Sequence, residues 1–157
     1  MGMSIGSALD PNRFQGVLTK TLTFAGGTPN AVGDHDGSGD PATLFTVTGD
    51  VVVKLIAVCT TDLTFGANAT IEVGTAGSTA SIIAQTNLTT QALAAREIWH
   101  DATPDAEIEA VSVFKEMFIT DGNDIVLTVG TDNVTAGVIV FYLYWYPVST
   151  TGMVVAA

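Results

Sequence analysis

The sequence predicts an all-β chain folded as a single-domain β-sandwich of jelly-roll type, and three observations predict it. Short runs rich in Val, Ile, Thr, Phe and Tyr recur with Gly, Asn and Asp between them, the rhythm of strands and turns. No long segment repeats apolar residues at the helical period, which argues against alternating strands and helices. The third is residues 136–148, AGVIVFYLYWYPV, which are apolar on both sides of an extended chain. With side chains alternating, Val138, Val140, Tyr142, Tyr144 and Tyr146 share one face and Ile139, Phe141, Leu143 and Trp145 the other. Neither face suits water, so the run reads as a central strand covered on both sides, by the core and by a second layer or another subunit. A membrane span needs about 20 apolar residues, and this run is shorter and rich in tyrosine. Tyr142, Tyr144, Tyr146 and the adjacent Trp145 are therefore the expected oligomer interface, since phenols suit an apolar surface with a polar rim.

The elements follow in order. Residues 1–15 lack periodicity and read as a flexible N-terminal arm. Residues 16–25 alternate as a strand, and 26–41 form a long Gly-, Asp- and Pro-rich loop. Residues 43–48 are a short strand that turns at Gly49 and Asp50. Residues 51–59 are nearly all apolar apart from Lys54 and form a second central strand. Short strands are expected at 62–65, 70–75 and 81–85, and a helical turn within 86–95. Strand-like residues 97–100 are followed by alternating residues 111–120, a strand at 125–129, and the tyrosine run. The sandwich domain thus covers 16–148, with a C-terminal tail at 149–157.

At 157 residues, one domain with an ample core is expected. A hydrophobic content of 47% argues against disorder, and only 13% charged residues suggests neutral polar surfaces and area hidden by assembly. The net charge is −11, and the five basic residues, Arg13, Lys20, Lys54, Arg96 and Lys115, are scattered. No basic stripe is present to hold a phosphate backbone, so direct nucleic-acid binding is not expected, and acidity repels anionic membranes. The single cysteine, Cys59, lies in an apolar run and reads as a buried inert thiol. The first residues lack the charged and apolar regions of a signal peptide.

No catalytic machinery is expected. The histidines are His35 and His100, too few for a three-ligand zinc site, and the nucleophile elbow and phosphate loop are absent. His100 and Asp101 could be a base and its orienter, but neighbours in a strand point to opposite faces. Asp101, Asp105, Glu107, Glu109 and Glu116 read as a solvated acidic face. Calcium is the one cofactor candidate. Asp34, Asp36 and Ser38 hold the first, third and fifth positions of a calcium loop, with Gly39 at the sixth and Asp40 beside it. The twelfth position, where a bidentate Glu belongs, is Phe45. A weak site stands against a solvated loop that merely turns the chain. Asn68, Asn87 and Asn133 match the glycosylation pattern, as expected by chance in a Thr-rich chain.

Residues 43–59 (TLFTVTGDVVVKLIAVC), 69–75 (ATIEVGT), 97–103 (EIWHDAT), 119–130 (ITDGNDIVLTVG) and 137–148 (GVIVFYLYWYPV) resemble segments of small β-rich virion structural proteins of tailed bacteriophages and prophages. The likeness covers about residues 43–148 and leaves out the acidic segment 34–40. It implies a capsid decoration or cement protein on the capsid exterior, assembled in the host cytoplasm. Such proteins are commonly homotrimers over capsid three-fold positions, with the major capsid protein as partner. The arm, with Arg13 and Phe14, is the expected capsid contact. The resemblance carries no catalytic residue. The other readings are a different virion part (head fibre base, tail or adaptor protein), a carbohydrate-binding module using Trp99, Trp145 or the tyrosines, and, last, a glycosidase.

Overall fold

The computed structural model describes residues 16–157, and the expectations placed on Arg13 and Phe14 lie outside them. Eleven strands follow one another: β1 Gly16–Thr23, β2 Ala42–Thr48, β3 Val51–Phe65, β4 Thr70–Thr75, β5 Ser78–Asn87, β6 Glu97–Trp99, β7 Asp105–Ala106, β8 Glu116–Ile119, β9 Ile125–Gly130, β10 Val134–Pro147 and β11 Met153–Ala156. They form two antiparallel sheets. One has the order β1-β10-β3-β6-β7, with β8 also paired to β3, and the other β11-β2-β9-β4-β5. Strands β1 to β4 alternate between the sheets, and β9 and β10 return to pair with the early strands. This is the double Greek key of a jelly roll, with β11 added beside β2.

The period-2 patterns decide which side of each strand is buried. Along β3, Val51, Val53, Leu55, Ala57 and Cys59 are buried, and along β10 Ile139, Phe141 and Leu143 are buried. They meet Leu44, Phe45, Ile71, Val73, Ile83, Leu127 and Val129 of the facing sheet in one core. Trp99 of β6 is buried beside Phe141, with ring centroids 6.5 Å apart in edge contact. Its indole N–H donates to the Thr86 hydroxyl at 2.8 Å, which satisfies the one polar atom the ring carries inside.

The central positions expected for the tyrosine run and for residues 51–59 hold, since β10 is bonded to both β1 and β3, and β3 to β10, β6 and β8. Four details differ from the sequence reading. Residues 86–95 contain no helix: β5 runs to Asn87, whose carbonyl then accepts the N–H groups of Thr90 and Gln91 in a turn. Residues 111–113 are a short 3₁₀ turn, and only Glu116–Ile119 of the alternating segment is strand. Strand β3 continues through Thr60, Thr61 and Asp62, because β10 follows it across a bulge. The residues expected as a tail supply β11, whose Val154 is buried. The Lys20 ammonium donates to the Ala157 carbonyl, tying β1 to the residue after β11. Among the described residues no helix is long and apolar enough to cross a membrane.

Candidate functional site

The outer face of the six-stranded sheet is assembled by register. Thr19, Tyr142 and Ile56 lie in one row across β1, β10 and β3, and Thr21, Val140, Val58 and Ile98 in the next, which reaches β6. Toward the other end, Val17, Tyr144, Lys54 and Glu116 form a row, followed by Tyr146, Val52 and Phe118. Because each partner sits directly opposite, all these side chains share one side of the sheet. Val17, Tyr142 and Phe118 are 49%, 37% and 56% exposed. The one ion pair among these rows is Lys54 Nζ to Glu116 Oε1 at 3.3 Å. A depression of about 530 Å³ opens beside Val58 and Ile98, rimmed by Arg96 and Glu107, whose charges are 3.4 Å apart.

The four residues expected at an oligomer interface divide. Tyr142 and Tyr144 belong to the outer face. Tyr146 has the same parity, yet it is 7% exposed within the chain itself. Loss of water, with the charge of Glu116, pushes its phenol above the ordinary range. Trp145 is corrected: it has the parity of Phe141 and packs half-buried against the core, on the opposite side from the tyrosines. The buried Trp99 likewise offers no platform to a sugar.

The four expected calcium ligands also divide. Asp34 accepts the N–H of Asn30 at 2.7 Å, and the Asn30 side-chain oxygen accepts the N–H of Ser38 at 3.0 Å. Asp40 turns away and accepts the N–H of Val129 on β9 at 2.7 Å. Asp34, His35 and Asp36 do lie together, but Asp40 is outside that group. The loop is anchored by Asn133, whose side-chain oxygen meets both the backbone N–H (2.9 Å) and Nδ1 (2.7 Å) of His35, while its amide donates to the Gly26 carbonyl at 2.8 Å. The Nδ1 bond to Asn133, followed by the charges of Asp36, Asp132 and Asp34, raises the His35 pKa against the effect of desolvation. Asp34 and Asp40 thus shape the loop.

Cys59 is buried, and desolvation pushes its thiol up to about 11, so it holds no thiolate at neutral pH. A groove of about 290 Å³ between β5 and β8, lined by residues such as Ser81, Ile82, Met117 and Asn123, has no acid, base or thiol in its wall.

One grouping was not foreseen. His100, Asp105 and Glu109 present ligand-type atoms within 4.8 Å of one another. The β6–β7 hairpin causes this. Ile98 pairs with Asp105 across the hairpin, and His100, in the bend just past β6, reaches Asp105 Oδ2 with its Nε2 at 3.0 Å. Sequence spacing alone hid the convergence, because residues 100–109 read as a run of separate surface charges.

No protein family, curated protein or solved structure matches the chain.

Proposed function

We propose that this chain is a structural, non-catalytic subunit of a bacteriophage virion, a decoration protein that binds the capsid exterior as a homo-oligomer. The outer face of the six-stranded sheet is the observation that carries the proposal. It is largely apolar, and the charges beside it are paired, Lys54 with Glu116 and Arg96 with Glu107, in a chain with a net charge of −11. Two copies meeting there avoid the repulsion that any other pairing of acidic surfaces would meet. With strands about 4.8 Å apart and about 3.3 Å per residue, the face covers roughly 500 Å² per copy. Two such faces reach the roughly 1,000 Å² that a specific interface needs.

The virion assignment rests on the resemblance of residues 43–148, and so does the trimer, since a face that pairs with itself builds only a two-fold contact. A protein that binds only the assembled lattice stabilises it by mass action, and no chemistry is required. The capsid contact is assigned to residues 1–15 with Arg13 and Phe14.

Light scattering should give an oligomer mass that rises with added salt, as screening weakens repulsion between acidic subunits. Tyr142→Arg with Val58→Lys should shift the chain to monomer with unchanged circular dichroism. Removing residues 1–15 should abolish binding to purified capsids and leave the oligomer intact. A wild-type monomer at all salt concentrations would remove the interface. An oligomer located by electron microscopy on the tail or head fibre would move the assignment to that virion part.

A further inference from the structure

We propose that His100, Asp105 and Glu109 form a binding site for a divalent transition-metal cation of the zinc class. The imidazole is the central observation. Its side chain is only 8% exposed, and its Nε2 is turned into the cluster, 3.0 Å from Asp105 Oδ2 and 3.6 Å from Glu109 Oε2. Donors bound to zinc at about 2.0–2.1 Å with tetrahedral angles stand about 3.3–3.4 Å apart. The two separations from the imidazole bracket that value, and the ligand atoms of all three residues lie within 4.8 Å of one another, so a cation would take the place of the proton now shared between Nε2 and Asp105. A nitrogen and two carboxylate oxygens suit zinc and its first-row neighbours better than calcium, which favours an all-oxygen shell. A neutral imidazole with two carboxylates also carries the charge that offsets a dication.

The surroundings hold the ring in place. His100 Nδ1 lies 3.8 Å from Asp101 Oδ2, beyond direct hydrogen-bond reach, so Asp101 adds negative charge beside the ring. Asp101 is itself fixed, because its backbone carbonyl accepts the Thr86 hydroxyl at 3.1 Å and its side chain accepts the N–H of Thr103 at 2.7 Å. The same Thr86 oxygen accepts the buried Trp99 indole, so the chain of bonds runs back into the core. Phe114 packs edge-on against the imidazole, with centroids 5.6 Å apart. Asp105 belongs to the hairpin and Glu109 to the segment leading to β8, so a bound cation would clamp the long β7–β8 connection against β6. Three protein ligands leave further coordination positions to water.

The test uses the untagged full chain and zinc as the probe, in competition with a chromogenic chelator. One equivalent per chain should bind and raise the melting temperature. Asp105→Asn with Glu109→Gln should lower affinity by about 100-fold or more while leaving circular dichroism unchanged. These two are changed because the buried His100 ring contributes to packing. His35→Ala should have no effect, which separates this site from the Asp34–His35–Asp36 group. Cobalt substituted for zinc should give the visible spectrum of a low-coordinate nitrogen–oxygen site. Failure to take up zinc stoichiometrically would overturn the site and identify the cluster as an ion-pair group. So would uptake that survives the double variant. Neither result depends on the virion assignment.

Discussion

At the scale of single residues, Asp40 shows how an acidic loop can be structural at a cost. Its carboxylate ends the loop of residues 26–41 by accepting the Val129 N–H, and burial raises its pKa from 3.8 to about 6 against the opposing effect of that bond. The folded chain therefore binds a proton more tightly than the unfolded chain does. The stability this contributes is fully present below about 3.8 and is lost as pH rises through 6. With its partial contact with water allowed for, the loss is about 1 kcal/mol. Asn keeps the acceptor without the charge, so Asp40→Asn should melt higher than wild type at pH 7 and about level with it at pH 4. Parallel melting curves for the two proteins across that range would show that the Asp40 charge costs nothing. The oxygen spacing of residues 34–40 was visible in the sequence, but its purpose was not. The partners that use these carboxylates, Asn30 and Val129, come from local loop geometry and from a strand about ninety residues away.

At the scale of elements, β10 depends on one irregularity. Its register against β3 shifts between Val134 and Ile139, and Gly137 lies inside that bulge at φ +115°. A Cβ there would lie 2.5 Å from a Leu63 methyl and 2.7 Å from the Asp62 carbonyl. Both the backbone conformation and the space exclude a side chain. Gly137→Ala should cost about 2–4 kcal/mol in urea unfolding. Gly77→Ala, in the β4–β5 turn with open space around it, should stay within about 0.5 kcal/mol. Equal effects at the two positions would refute a special role for the bulge. Strand identity was legible here wherever alternation and turn residues coincided, as in β4, β9 and β10. It failed where pairing overrode local pattern. Thr60 to Asp62 broke the apolar run yet extend β3, and Val111 to Val113 alternate yet form a turn. The outer-face tyrosines Tyr142 and Tyr144 followed from parity, and parity also places Trp145 inward. The His100 group was illegible because the β6–β7 hairpin brings His100 to Asp105 and the segment after β7 folds Glu109 back to both.

At the scale of the whole molecule, the two sheets share one core, but their pairings differ in how far apart they lie along the chain. Val73 meets Ile83 across a hairpin whose ends, Thr75 and Ser78, are joined by only two residues. Leu55 meets Leu143, and Leu22 meets Ile139. Closing the distant pairs costs chain entropy before any burial offsets it, so they cannot lead. The β4–β5 hairpin is therefore expected in the folding nucleus, with the β3–β10 ribbon that dominates the finished sheet zipping up late. In stopped-flow experiments Val73→Ala should slow refolding, whereas Ile139→Val should mainly speed unfolding. The reverse pattern would place the ribbon first. If the order holds, each newly made chain passes through a stage with the edges of its longest strands still unsatisfied, and at that stage neighbouring copies are most prone to tangle.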